Sequence, residues 1–269
     1  MKKVTKAILP VAGVGTRFLP VTKVVPKELL PIVDKPVIQY LVEEAVESGI
    51  EEIIFVISKG KEAIIDHFRH HPELEELLHK RKKHALLERV KPIHELAEIK
   101  FVYQRQPKGD GDAILQARKL IDNEPFVVLF GDDIVKHHTP ATQQLLDNFH
   151  GEAIMAVEKV TGEAISAYGV IAPQSQEGRK YKVGHMVEKP DYSQAPSDLG
   201  VIGKYVCPPE IFEAIEQAGL SQGGEKRLID GFIQLSNKQS IWAYEIEGVR
   251  FDTGQPAGLI AASQAFLAG

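Results

Sequence analysis

Through the first half of the chain, short apolar runs alternate with stretches of helical spacing. Residues 7–9 are an apolar run too short for a helix, and they predict a buried strand. Val37, Tyr40, Leu41, Ala45 and Val46 then give one apolar face at helical spacing, behind Pro36 at a first turn and before Gly49 as a stop. The centre Ile53-Ile54-Phe55-Val56-Ile57 predicts a strand over 52–58, followed by a short helix over 61–70. A strand over 100–104, a helix over 111–121 and an apolar strand over 125–130 continue the series, the last running into Gly131-Asp132-Asp133. Strand, helix, strand, helix is the pattern of a parallel sheet covered on both faces.

Two segments break that rhythm. Residues 73–98 predict a charged amphipathic helix with Leu74, Leu77, Leu78, Leu86 and Leu87 at its apolar positions. Its basic run, His79 to His84, is flanked by Glu75, Glu76 and Glu88 and suits a solvated face. From about residue 152 the pattern turns to extended segments over 153–157, 168–171, 181–188 and 201–206. Helices over 209–217 and 225–236, a strand over 240–245 and a closing helix over 256–267 complete it. The expectation is an α/β fold: a Rossmann-like, mostly parallel central sheet with helices on both faces, and a smaller mixed β region beside it. Length allows two domains or one sheet with an elaboration, and no internal repeat or low-complexity linker is present.

Composition narrows the class. The 269 residues are 43% apolar and 26% charged, ample for a large core, and the formal charge of −5 gives no basic character to suggest nucleic acid. A single cysteine, Cys207, excludes an internal disulfide and suits a reducing cytosol. Met1-Lys2-Lys3 mimics the start of a signal peptide, but Pro10, Gly13 and Arg17 interrupt any apolar core behind it. No apolar run is long enough to span a bilayer, so a cytoplasmic protein with no membrane partner is expected.

The chemistry concentrates in residues 10–31. Gly13 and Gly15 allow a tight turn whose N–H groups can face an anion, and Arg17, Lys23 and Lys27 add cations on a loop stiffened by Pro20, Pro26 and Pro31. The dinucleotide pattern G-x-G-x-x-G fails at Phe18, and no P-loop is present. His94-Glu95-Leu96-Ala97-Glu98 misses the zinc pattern H-E-x-x-H, because Glu98 stands where the second histidine is needed.

Ala12-Gly13-x-Gly15-Thr16-Arg17-x-Leu19-Pro20, together with Pro26-Lys27-Glu28-x-Leu30-Pro31, resembles the sugar-1-phosphate nucleotidylyltransferases. The continuation from Ile32 to Tyr40 is similar to the bacterial UTP–glucose-1-phosphate uridylyltransferases, and the resemblance extends to Phe251-Asp252-Thr253-Gly254. It implies a Mg²⁺-dependent enzyme acting on UTP and glucose 1-phosphate, assembled as a homo-oligomer (dimer or tetramer). Another sugar 1-phosphate, dTTP, or a non-catalytic nucleotide-sugar-binding homologue are the alternatives. It also implies one domain over 1–269, with 1–150 mainly the nucleotide-binding core and 151–269 mainly the sugar-phosphate region.

Carried over position by position, the resemblance makes Arg17, Lys27, Asp132, Lys189 and Asp252 catalytic, with Asp132 and Asp252 holding the metal. Ala12, Gly13, Gly15, Thr16, Arg17, Lys27, Glu28, Gln106, Gly111 and Asp132 would bind the nucleotide, Gln106 and Gly111 reading the base and Glu28 facing the uracil. Gly169, Glu188, Lys189 and Val201 would bind the sugar phosphate, Glu188 and Lys189 within Val187-Glu188-Lys189-Pro190. Departures stand at Asp112, where the family usually has His, at Asp198, usually Asn, and at Lys226 and Arg227 in the segment after Gly224. These leave sugar preference open. Asp198 either adds charge near the sugar phosphate, with Lys226 and Arg227 compensating if their segment folds back over the cleft, or points to solvent without effect.

Overall fold

The computed structural model describes residues 3–221 and 223–268. One continuous nine-stranded sheet organises them. The strand β1 (Lys6–Pro10) leads through a glycine loop and a two-stranded ribbon, β2 (Pro31–Ile32) and β3 (Lys35–Pro36), into α1 (Val37–Glu47). The strand β4 (Glu52–Ile57) is buried on both faces, as its near-continuous apolar sequence requires. Ile53, Phe55 and Ile57 face one core and Ile54 and Val56 the other, the two-residue period of a strand.

The segment after α2 (Ala63–His67) is not one helix. It breaks into α3 (Pro72–Lys80) and α4 (His84–Val90), with Lys82 at φ 54 in the turn between them. Neither helix has a buried residue, so no core contact holds a continuous helix across the like-charged run at 79–84. Next come β5 (Glu98–Tyr103), α5 (Asp110–Gln116) and β6 (Phe126–Leu129). The strand β7 (Asp133–Lys136) and the helix α6 (Ala141–Asp147) have no counterpart in the sequence-based expectation. The second half supplies β8 (Ile154–Lys159), β9 (Gly169–Glu177), β10 (Lys180–Glu188), β11 (Leu199–Cys207), α7 (Ile211–Gln217), α8 (Leu228–Ser236), β12 (Trp242–Glu245), β13 (Val249–Asp252) and α9 (Pro256–Leu267).

The strand order is β5-β4-β1-β6-β11-β8-β12-β10-β9. The first four strands pair in parallel, but β11 runs antiparallel to both β6 and β8, and β10 antiparallel to β12 and β9. The sheet is therefore mixed, and the expected separate β region is its other half. The fully buried β11 joins the two, with Lys204 to Cys207 registered on β6 and Leu199 to Val206 on β8. The helices α1, α2, α6 and α9 cover one face, and α5, α7 and α8 the other. Each fully buried Val, Leu, Ile or Phe in these layers contributes about 1.5–3 kcal/mol, which fixes the strand ends from which the polar loops project.

Candidate active site

The carboxyl ends of β1 and β6 lie side by side, where open α/β sheets bind ligands. Beyond β1, Gly15 has φ 70, and its carbonyl accepts the Thr22 hydroxyl at 2.8 Å, closing the loop on itself. A Cβ at Gly15 would also press on Thr22 and on Lys27, so glycine here serves both the left-handed backbone and the packing of the Lys27 stem. Thr16 and Arg17 sit in the short 3₁₀ turn that follows, both exposed.

Beyond β6, the chain turns at Gly131 into β7, which pairs antiparallel with β13 and sets Asp252 opposite Asp133. Thr253 donates its N–H (2.8 Å) and its hydroxyl (2.9 Å) to the Asp132 carbonyl, locking the two chain segments together. The carboxylates of Asp132 and Asp252 converge above Gly254, where a Cβ would lie 2.5 Å from Asp132 Oδ2 and 3.0 Å from Asp252 Oδ1. Gly254 N–H (3.0 Å) and the Gln255 amide (2.7 Å) donate to Asp252. Lys27 Nζ reaches Asp132 Oδ2 at 2.6 Å. Burial works against the Lys27 ammonium, but Asp132, Glu28 and Asp252 outweigh it and hold its pKa above the ordinary lysine value.

A cavity of about 360 Å³ opens beside this pair, lined among others by Arg17, Asp132, Gly169, Glu188, Lys189, Val201, Arg227 and Asp252. All four residues expected to bind the sugar phosphate are present in it. Lys189 adopts φ 47 and its N–H bonds the Tyr168 carbonyl at 2.9 Å, which carries the chain out of β10 at the cavity wall. Two further cavities are present, the first sharing Asp110, Phe130 and Asp132 with this one. One, of about 180 Å³, is lined by Gly13, Lys27, Glu28, Asp110 and Asp132. The other, of about 1160 Å³, is lined by Ala12, Val14, Tyr103, Gln104, Arg105 and Pro107 among others.

Some expected residues are placed differently. Glu28 is 1% exposed and takes both oxygens to Lys61 Nζ, at 3.1 and 2.9 Å, while Lys61 also donates to the Val11 carbonyl at 2.7 Å. Burial pushes the Glu28 carboxyl up and the Lys61 ammonium down, and their mutual attraction opposes both shifts. Gln106 is exposed on the loop between Arg105 and Pro107. It is Gln104, buried, that holds this loop, donating to the Gly109 carbonyl and to Asp112 at 2.9 Å each. Gly111 is needed by protein rather than by open space, since a Cβ would meet the Arg227 carbonyl carbon at 2.9 Å.

Arg227 does reach the cavity with Glu188 and Lys189, gripped by Asp230 through two bonds of 2.8 Å and lying 3.9 Å from Glu188. Lys226 does not: its ammonium turns to the Ile215 and Glu216 carbonyls at the end of α7. Asp198 is exposed and outside the cavity lining, while its carbonyl accepts Val160 N–H at 2.8 Å.

Sequence reasoning missed Asp133 and Arg250. Asp133 is buried, takes Gly203 N–H at 2.7 Å and pairs with Arg250, which also binds Glu158 (2.8 Å) and the Tyr168 hydroxyl (2.9 Å). Burial raises the Asp133 carboxyl, and Arg250 opposes it. A usable signal existed, because Arg250 and Asp252 are two apart on a strand and so share a face.

A cluster of cations beside two convergent carboxylates suits a polyanion bound with a small, hard cation. Mg²⁺ needs only one or two carboxylates beside substrate phosphates, and the Gly254 cradle offers two. No group of three His, Cys, Asp or Glu side chains among the described residues could hold a metal by itself.

Against known protein families, residues 6–269 match the nucleotidyl transferases. The chain belongs to the nucleotidyl transferase family. Among curated members, it is 50% identical to the UTP–glucose-1-phosphate uridylyltransferase of Bacillus subtilis (strain 168), across 99% of this chain and 92% of that one. Among solved structures of the family, a UDP-glucose pyrophosphorylase complexed with UDP-glucose superposes with a TM-score of 0.89 at 38% identity, covering 99% of both chains. A UTP-bound UGPase from Acinetobacter baumannii gives 0.89 at 35%, covering 98% of this chain and 93% of that one. No helix among the described residues of this nucleotidyl transferase is long and apolar enough to cross a membrane.

Proposed function

We propose that this nucleotidyl transferase moves UMP from UTP to α-D-glucose 1-phosphate, giving UDP-glucose and pyrophosphate. The observation that carries the reading is the convergence of Asp132, Asp252, Lys27, Arg17 and Lys189 at joined cavities beyond β1 and β6. The 50% identical relative named for this reaction supports the choice of substrates.

In such a reaction an oxygen of the sugar phosphate attacks the α-phosphorus in line, and the bond to pyrophosphate breaks. The protein's task is to align two anions and stabilise the charge that moves to the leaving group. Arg17 and Lys27 would hold the triphosphate and take up that charge. Lys27 is suited to this, since its carboxylate neighbours keep it protonated. Lys189 would pair with the sugar phosphate, and Glu188 would accept hydrogen bonds from sugar hydroxyls. The base would lie in the cavity containing Ala12, with Gln106 on its bordering loop, Gly111 in the first turn of α5, and Gly13, Gly15 and Thr16 approaching the phosphates. Asp132 and Asp252 would hold Mg²⁺, which supplies charge neutralisation and orientation of the phosphates when bound. On this reading residues 1–150 mainly bind nucleotide, and 151–269 mainly bind sugar phosphate.

A pyrophosphate-release screen crossing several nucleoside triphosphates with several sugar 1-phosphates tests the reading. Turnover should be fastest for UTP with glucose 1-phosphate and should stop when chelator removes the divalent cation. Asp132→Asn and Asp252→Asn should each lose several kcal/mol of transition-state stabilisation, and the double variant little more than the worse single one. Near-parental turnover by folded Asp132→Asn would refute the metal assignment.

A further inference from the structure

Asp110 is a carboxylate at the centre of the site to which the proposed reaction gives no task. As the first residue of α5 it lines both the cavity with Glu188 and Lys189 and the one with Gly13, Lys27 and Asp132. Its Oδ1 accepts Leu228 N–H at 2.6 Å, and no side-chain donor bonds it among the described residues. Of the cations that share its cavities, Lys27 is paired with Asp132, Arg227 with Asp230 and Arg250 with Asp133. Burial, with Glu188 and Glu225 nearby, pushes its carboxyl up to about 6, against the Leu228 and Gly111 N–H groups.

A carboxylate so placed costs free energy unless donors complete its shell, and it repels phosphate. The donors that UTP and glucose 1-phosphate can bring are hydroxyls, on the ribose or the hexose, and the uracil N3–H. The base is set apart, because the cavity containing Ala12 does not include Asp110. Hydroxyls remain. They are also the groups that flank the α-phosphate on either side of the junction where Asp110 stands.

We infer that Asp110 is a specificity-determining residue, its free carboxylate oxygen accepting a hydrogen bond from a substrate hydroxyl where the two cavities meet. The inference rests on the proposed substrates and adds a selection they do not require: one hydroxyl, on one of the two sugars, is read by a charged acceptor. Leu228, Ile229 and Arg227 line the same cavity, so the Asp110–Leu228 bond also fixes the wall facing that hydroxyl.

The test measures binding, by calorimetry, of UDP-glucose and of its analogues lacking the ribose 2′-, ribose 3′-, glucose 2- or glucose 3-hydroxyl. In the parent, one analogue should bind about tenfold to a hundredfold more weakly, as expected for a lost hydrogen bond to a charged group. Asp110→Ala should bring that ratio close to one and leave the ratios for the other analogues unchanged, the signature of direct coupling. Which analogue responds distinguishes ribose from hexose. Asp110→Asn can still accept Leu228 N–H, so it tests the same ratio in a protein whose wall is kept. If both variants weaken every ligand by one common factor, Asp110 only clasps Leu228 and the inference is overturned. A parent that binds UDP-glucose but releases no pyrophosphate would refute the proposed reaction and leave this inference standing.

Discussion

Gly254→Ala probes the proposed cation cradle without touching either carboxylate. Gly254 has no left-handed φ, so alanine carries no backbone penalty there. Its methyl group would stand 2.5 Å from Asp132 Oδ2 and 3.0 Å from Asp252 Oδ1, where ordinary contact begins at 3.4 Å. The Asp132 oxygen must therefore retreat by about 1 Å, a misplacement that typically costs on the order of 10²-fold in rate. That corresponds to about 3 kcal/mol of lost transition-state stabilisation. Stability should change little, since replacing glycine by alanine at a compatible site lowers the entropy of the unfolded chain by about 0.4–1 kcal/mol in free-energy terms. The assay is pyrophosphate release from UTP and glucose 1-phosphate across a Mg²⁺ series, alongside thermal unfolding. The expected result is a turnover loss of about a hundredfold, with half-saturation moved to higher Mg²⁺ and a melting temperature close to the parent's. Parental turnover and parental Mg²⁺ dependence would show that Asp132 and Asp252 do not share a cation above Gly254.

Lys61→Met leaves the buried Glu28 carboxylate without its partner and should cost roughly 3–5 kcal/mol in urea unfolding, with partial recovery in the double variant Glu28→Gln, Lys61→Met. Asp198→Asn should leave the KM for glucose 1-phosphate unchanged at low and high salt, because Asp198 is exposed and outside the cavity; a fall in that KM would restore the charge argument drawn from sequence. Asp110 supplies a pH test. Its carboxyl moves from 3.8 to about 6 in the fold, so the stability it contributes is present below about pH 4 and is lost as pH rises through 6. Asp110→Asn should therefore be more stable than the parent above about pH 7, by up to about 3 kcal/mol, and the advantage should vanish toward pH 4 in urea titrations.

The local pattern determined much of this protein. Runs such as Ile53 to Ile57 are apolar on both strand faces and can only be interior strands, and Val37 to Val46 can only lay one face on them. The glycine loop with Arg17 and Lys27 was legible as a turn dense in cations, because φ at Gly15 and the spacing of charges are properties of the local chain. The tertiary structure decided what depends on pairing between distant segments. Asp132 and Asp252 meet because β7 and β13 zip together across more than a hundred residues of sequence, and Asp133 and Arg250 neutralise each other in the same ribbon. Lys226 and Arg227 fit a helical pattern, yet Lys226 exchanges backbone bonds with Lys108 and Gly111, and that docking delays α8 until Leu228. The same docking gives Asp110 its place. In sequence it is an ordinary acid at a helix start, and only the approach of Leu228, Glu188 and Phe130 makes it a half-buried carboxylate facing two cavities. Hydrophobic period and turn geometry act over a few residues and can be read in order. Which charges share a cavity is set by strand order and loop closure, which no window along the chain contains.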